Sequence, residues 1–270
     1  MSYANINLEQ HDNIAILTLN RPHRLNAISQ TMLEEIKEAL DHVRHDDSCH
    51  VLIVTGAGKA FSSGFDLQDQ AANTPKGHEA WKPVLQKDFD GVMGFWNIPK
   101  PTIAAVNGHA LAGGCEMAMA CDITIAARSA IFGEPEVKFG AGIVVMLLPW
   151  LVGPKKAKEI AFLGEDGITA DQALEYGMIN QVVDDEKLQQ TALKMAQKIA
   201  LVDPMVMQKT KQQINESMQL AGMEHALHRA LEIDGDLEGI GSQDKAIFLD
   251  ILRKEGLKAA LVWRDTRFTQ

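Results

Sequence analysis

Cysteine is scarce in this 270-residue chain: Cys49, Cys115 and Cys121 are an odd number without paired metal-ligand spacing. That argues against a disulfide framework and makes a reducing cytoplasm the expected setting. Positive charge is short as well, with 26 Lys and Arg against 36 Asp and Glu and a formal net charge of -10. An acidic chain repels a phosphate backbone, so nucleic acid is not expected as the main partner. Long apolar runs are missing. The longest, Ala141 to Gly153, contains Pro149 and is too short to span a bilayer, so no membrane is expected either. The opening MSYANINLEQHDN shows no basic stretch followed by an apolar one, and no secretory signal is read there. Neither G-x-x-x-x-G-K-[ST] nor G-x-G-x-x-G occurs, which removes the common nucleotide loops.

What is present is an ordinary globular composition, 46% hydrophobic and 23% charged, enough for one large domain and a smaller appendage. Ile6 to Leu8 and Ile14 to Leu19 flank a polar His11-Asp12-Asn13 turn and read as a hairpin leading to the breaker Arg21-Pro22. Leu33, Ile36, Leu40 and Val43 recur at helical spacing behind the N-cap candidate Ser29, and Val51 to Val54 reads as a buried strand ending at Gly56. Further strands are expected at Thr102 to Val106, Ile123 to Ala126 and Ile179 to Val183. Gly113-Gly114 should open a short helix ending near Cys121, and Thr169 with Gln172 should cap a helix closed by Gly177. The stretch Asp69 to Pro83, polar and periodic in neither sense, reads as a mobile loop. Leu188, Ala192, Met195 and Ile199 mark a helix. Beyond Asp203-Pro204 little looks like strand, which places a boundary near residue 200.

Two glutamates stand in apolar surroundings: Glu116 in HALAGGCEMAMACDITIAA and Glu136 in IFGEPEVKFGAG. Ionised carboxylates are costly to bury unless paired or put to use, so proton transfer is the leading explanation. Taken alone, Glu116 would more readily suit a helix residue paired with a neighbouring chain's cation, and it is the register of both glutamates that favours catalysis. The segments from Thr55 to Asp66 and from Val106 to Glu116 each leave a strand through small residues, which lets backbone N–H groups approach a ligand closely. The second ends at a helix N-terminus, where unpaired amides favour negative charge. Facing one another, the two would make an oxyanion hole. His42 with His45, and His225 with His228, lie among charged helical neighbours and read as solvated surface, so no metal is expected.

Five stretches occur in fixed order: NRPHRLNAIS (20–29), TGAGKAFSSGFDL (55–67), KPTIAAVNGHALAGGCEMAMACDITIAA (100–127), FGEPEVKFG (132–140) and ITADQALEYGMINQVV (168–183). Through them the sequence closely resembles the crotonase superfamily of enoyl-CoA hydratases and isomerases. The resemblance implies an α/β fold in which residues 1–200 form a catalytic spiral of stacked strand-strand-helix units. Residues 201–270 form a helical region used in trimerisation, with a homotrimer or a hexamer of two trimers as the assembly. It implies a coenzyme A thioester as substrate, hydration of a 2-enoyl-CoA as the reaction, and no metal or redox cofactor.

By motif position, the resemblance gives the N–H groups of Ser63 and Gly113 to the thioester oxygen. Glu116 and Glu136 fall on the two acid/base positions, Glu116 to orient water and accept its proton, Glu136 to supply one to the α carbon. Arg24 and Lys59, with Arg21 and His23, would offset phosphate charge, and Leu25, Asn26 and Ala27 match the segment near the adenine end. Gly64, Phe65, Asp66 and Gly140 complete the substrate-binding set. Three features depart from the family pattern. The segment FGAGIVVMLLPWLVG is shorter and more apolar than usual, which bears on substrate size; Phe65 stands where a small residue is common; and Trp263 stands where a coenzyme-binding lysine is common, with Arg264 or Lys258 as its substitute. Two other readings stand beside hydration. One is double-bond isomerisation or another acyl-CoA lyase or hydrolase reaction on the same fold. The other is a non-catalytic RNA-associated or binding role, which the acidic balance and both retained carboxylates oppose.

Overall fold

The computed structural model describes residues 3–269. Strands β1 (Ile6–His11) and β2 (Ile14–Leu19) pair antiparallel around Asp12, whose φ of 52° closes the tight turn. Helix α1 (Gln30–His45) follows, begun by Ser29, whose hydroxyl accepts from the Met32 amide, and it buries Leu33, Ile36, Leu40 and Val43 on one face. Three strand-strand-helix units then succeed one another. The first holds β3 (Val51–Gly56), β4 (Ala60–Ser62), α2 (Leu67–Ala72) and α3 (His78–Asn97). The second holds β5 (Thr102–Val106), β6 (His109–Leu111) and α4 (Gly113–Ala120); the third holds β7 (Ile123–Ala127), β8 (Ile131–Gly133), α5 (Leu148–Leu151) and α6 (Gly153–Leu163). After them come β9 (Ile168–Thr169), α7 (Ala170–Glu175), β10 (Gln181–Val183) and α8 (Leu188–Ile199), then the four helices α9 (Pro204–Leu220), α10 (Met223–Ile240), α11 (Gln243–Glu255) and α12 (Leu257–Thr266).

The units wind into a spiral because the first strand of each joins one sheet and the second strand joins another. The larger sheet runs β1-β2-β3-β5-β7-β10 and the smaller β4-β6-β8-β9. In the larger sheet Leu52 lies opposite Thr102 and Ile103 opposite Ile123, all parallel. These strands are buried along almost their whole length, as parallel strands covered on both faces must be. In the smaller sheet β4 and β6 are also parallel, with Ser62 opposite Ala110. That pairing sets the chain leaving β4 beside the chain leaving β6.

Two expectations are corrected. The stretch 69–83 is mostly helix, and only residues 73–77 connect α2 to α3. Asp66 caps α2 through the amides of Gln68 and Asp69, while Trp81, Leu85, Phe89 and Val92 bury along one stripe of α3. That stripe outweighs Pro83, which forfeits one backbone hydrogen bond inside the helix. Strand β10 starts at Gln181 rather than at 179, since the Met178 amide is still bonded to Ala173 in the turn that ends α7. The capping box of Thr169 and Gln172 forms with both bonds present. A smaller core joins Phe139 and Ala141 to Phe248, Leu249, Leu252 and Ala260, so α11 and α12 lie against the chain that follows Glu136.

Candidate active site

Residues 21–28 run as a strap along the end of β4. Leu25 and Asn26 both take left-handed backbone, with φ of 51° and 54°, a strain that the fully buried Asn26 side chain offsets. It accepts from the Arg21 amide and donates to the carbonyls of Ala57 and Ala60, while the Ser62 hydroxyl donates to the Asn26 carbonyl. The strap then uses up three main-chain polar groups of the next segment. The Ser63 amide donates to Leu25 O at 3.0 Å, and Ile28 takes the Asp66 amide and gives its own to Gly64 O.

The expectation for Ser63 is therefore corrected: its N–H is bonded within the chain. Alternate peptide groups along an extended segment point to opposite sides, so with Ile28 holding the groups of Gly64 and Asp66, the Phe65 N–H faces away from the strap. It has no hydrogen-bond partner among the described residues, and neither has the N–H of Gly113, the first residue of α4. The two positions are held together by small residues. Gly64, at φ 91°, abuts Ala112 and the Gly113 nitrogen, a Cβ on Gly113 would lie 2.6 Å from the Phe65 ring, and one on Gly114 would lie 2.5 Å from Ser62 O. Ala112 itself is forced to φ 53° and ψ -134°, which turns the chain sharply from β6 into α4. A pair of unspent amides on abutting loops, one at a helix start, is a seat for developing negative charge.

Every residue of α4 is buried, which GGCEMAMA tolerates except at Glu116. Glu116 Oε1 accepts from the Val145 amide at 2.9 Å, and Oε2 has no partner among the described residues. The donor comes from the apolar segment that departs from the family pattern, so that segment pins the carboxyl. Glu136 opens a short 3-10 turn (Glu136–Phe139) behind Pro135, and its Oε2 is likewise without a partner. Between them stands a third carboxyl that the sequence reading passed over. Glu134 is 0% exposed, neither of its oxygens has a hydrogen-bond partner, and oxygens of Glu116, Glu134 and Glu136 lie within 4.8 Å of one another.

Burial pushes all three carboxyls above the ordinary range. Glu136 is carried up to about 8, with the charge of Asp234 adding to the effect of burial. Glu116 and Glu134 are raised well above their usual value, first by burial and then by the charge of Glu136. Three like charges cannot share a dry site, so protons stay on the group at neutral pH, and the titration belongs to the set rather than to single members. A carboxyl that keeps its proton near pH 7 beside one able to take a proton is what general acid/base chemistry requires. Oxygens at this spacing would also close on a divalent cation, though acidity alone does not make a metal site. Behind the group lie Asp88 of α3 and Asp234 of α10, both buried and both raised to about 7 chiefly by burial.

The remaining expected residues divide. Arg24, Leu25 and Lys59 are exposed near one another at the strap and the turn it grips, with Ala27 buried beneath, while Phe65 is half-buried beside Gly113. Asp66 is spent within the chain: it takes Arg21 Nη1 at 2.9 Å and caps α2, so its carboxylate is not left for a ligand. Gly140 is spent too. At φ 76° its amide closes the turn after Glu136, and its carbonyl accepts from the Ser242 hydroxyl that begins α11. Arg264 pairs with Asp166 and Asp265, and Trp263 lies in the smaller core against Phe248. A cavity of about 330 Å³ opens elsewhere, between α3 and α10 at His78, Lys82, Leu85 and Leu231, and none of the three glutamates lines it.

The sequence profile described as "Enoyl-CoA hydratase/isomerase" matches residues 9–244. The chain is 37% identical to a crotonyl-CoA hydratase of Syntrophomonas wolfei, over 99% of each, and 37% identical to a short-chain-enoyl-CoA hydratase of Clostridium acetobutylicum, over 96% of this chain and 99% of that one. The crystal structure of an enoyl-CoA hydratase/isomerase from Xanthobacter autotrophicus Py2 superposes with a TM-score of 0.98 over 100% of both chains, at 54% identity. With the profile matched along most of its length, its relatives similar from end to end, and its spiral superposable on a solved one, the chain belongs to the enoyl-CoA hydratase/isomerase family.

Proposed function

We propose that this protein adds water across the double bond of a short-chain 2-enoyl-CoA thioester. The observation that carries the reading is the meeting of two partnerless amides, Phe65 and Gly113, on abutting loops next to buried glutamates that hold protons near neutrality. The thioester oxygen sits on the two amides and gains negative charge as water adds to the β carbon. Amides fixed in advance stabilise that charge with little reorganisation. Glu116, its Oε1 anchored by Val145, presents Oε2 to water and takes its proton; Glu136 gives a proton to the α carbon, so hydroxyl and hydrogen are both accounted for. One water bridging the pair makes the division of labour interchangeable. Nothing in this sequence of steps calls for a metal or a redox cofactor.

The test is loss of the conjugated thioester's ultraviolet absorbance with crotonyl-CoA, and full rate in Glu136→Gln would refute the assignment. Isomerisation is the second reading, favoured by the apolar segment that pins Glu116 and by the Phe65 ring against Gly113, both of which restrict room near the carboxyls. Product analysis with a 3-enoyl-CoA separates the two. We also propose assembly as a trimer or a pair of trimers. Its support is the large apolar side chains Leu201, Met205, Leu220 and Ile240, exposed at 86%, 68%, 90% and 86% from the turn before α9 to the end of α10. Light scattering giving a monomer would contradict it. Among the described residues no helix is long and apolar enough to cross a membrane, and a cytoplasmic setting is proposed on the free, buried cysteines.

A further inference from the structure

Glu134 has no part in the steps above, yet it is as fully enclosed as Glu116 and is the one of the three carboxyls with neither oxygen bonded. The groups facing it are Cys115 and Glu116 from α4, Glu136 from its own segment, and the 165–166 stretch, where Glu165 gives its carbonyl to the Glu134 amide and Asp166 is occupied by Lys138 and Arg264. Asp234 and Asp88 act on the same cluster from α10 and α3. No cation among the described residues pairs with Glu134, so an ionised Glu134 would be an unpaired buried charge. A neutral Glu134 carries an O–H that must find an acceptor, and within a cluster whose oxygens lie within 4.8 Å of one another the Glu136 carboxyl is the one placed for a side-chain hydrogen bond with Glu134. Glu116 Oε1 already has a donor in Val145, whereas Glu136 has its own backbone amide as a donor and an Oε2 with no partner among the described residues.

We propose that Glu134 is a positioning residue, a protonated carboxyl whose O–H donates to Glu136 and fixes that group's orientation and acid strength. This deepens the hydratase reading and rests on it for its kinetic arm. A donor to the ionised form makes Glu136 a better acid than burial alone would leave it. The neutral state of Glu134 is consistent with the rise that burial and Glu136 impose on it.

The variants Glu134→Gln, which keeps a donor, and Glu134→Leu, which removes it at similar volume, test this. With crotonyl-CoA, the glutamine variant should keep kcat within about threefold, while the leucine variant loses about tenfold to a hundredfold in kcat with little change in KM, as a misplaced reacting group does. The alkaline limb of kcat/KM should move to higher pH in the leucine variant and stay in place in the glutamine variant. Should leucine prevent folding, Glu134→Met serves in its place. Independently of any activity, infrared spectra at neutral pH should show one protonated-carboxyl C=O band in the wild type that Glu134→Gln lacks. Wild-type kcat and pH profile in the leucine variant would overturn the proposal, as would a glutamine variant as impaired as Glu136→Gln, or no carboxyl band lost. Absence of hydratase activity in the wild type would defeat the hydratase reading and leave the infrared result to decide the role of Glu134.

Discussion

Gly64→Ala removes no chemical group, and it is expected to cripple the reaction. At φ 91° any other residue is strained, at a cost of about 1–2 kcal/mol. The added methyl would also lie 2.6 Å from Ala112 Cβ and 2.9 Å from Leu111 O, and neither is the free end of a flexible side chain. Restoring ordinary carbon contact requires the loop after β4 and the loop before α4 to part by about 1 Å. Those are the loops that carry the Phe65 and Gly113 amides. A displacement of that size at a reacting centre costs about a hundredfold, and loss of one donor about 3–4 kcal/mol, so kcat should fall about 100- to 1000-fold. Stability should drop by about 2–5 kcal/mol, the backbone strain together with one methylene too many in a packed site. Absorbance assays with crotonyl-CoA beside thermal melting separate the two effects. A folded Gly64→Ala protein with wild-type kcat would refute the claim that the loops must abut.

Glu116→Gln and Glu136→Gln should each lower kcat about 10²–10⁴-fold, and the double variant should fall well short of the product of the two losses, because the groups act together. Full additivity in the absorbance assay would mean independent roles. Asp88 holds its proton up to about pH 7 when folded against an ordinary value of 3.8, so between those pH values the folded protein binds a proton that the unfolded chain has released. Its contribution to stability therefore falls as pH rises through that window, by up to about 4 kcal/mol for a shift of about three units. Asp88→Asn keeps an oxygen for Gln30, which donates to Asp88 at 3.1 Å, and should stabilise the protein little near pH 4 and increasingly up to pH 8. Denaturant titrations showing a pH-independent difference would contradict this.

Much of the fold could be read from local signals, since hairpin, capping box and helix periodicity are written in neighbouring side chains. The Asp12 turn, the Ser29 cap and the Thr169–Gln172 pair all formed where their residues stand. The misses have physical causes. Pro83 and Gly77 masked the stripe of Trp81, Leu85, Phe89 and Val92, which a search at spacings of three and four would have found. Assigning the amide to Ser63 rather than Phe65 failed because which way a peptide group points depends on the partner strand, here the 21–28 strap, and no side chain announces it. Asp66 and Gly140 looked like ligand contacts because they lie in the motifs, but their polar groups hold the loops in place. Glu134 did have a signal, a second carboxylate in the same apolar stretch one residue before Pro135, but the turn at Pro135 (φ -83°, ψ 5°) that brings it beside Glu136 is not written in a side-chain period.

The central claim is that the main-chain N–H of Phe65, not that of Ser63, acts with that of Gly113 on the thioester oxygen. Replacing one residue at a time by its α-hydroxy analogue turns a single amide into an ester, which deletes that N–H and weakens the preceding carbonyl as an acceptor, at position 65 the Gly64 O that accepts from Ile28. An ester at position 65 is predicted to lower kcat about 10²–10³-fold with the fold intact, while one at position 63 loses only the bond to Leu25 O and keeps most of the rate. Full activity with the ester at 65, or the larger loss with the ester at 63, would contradict the account.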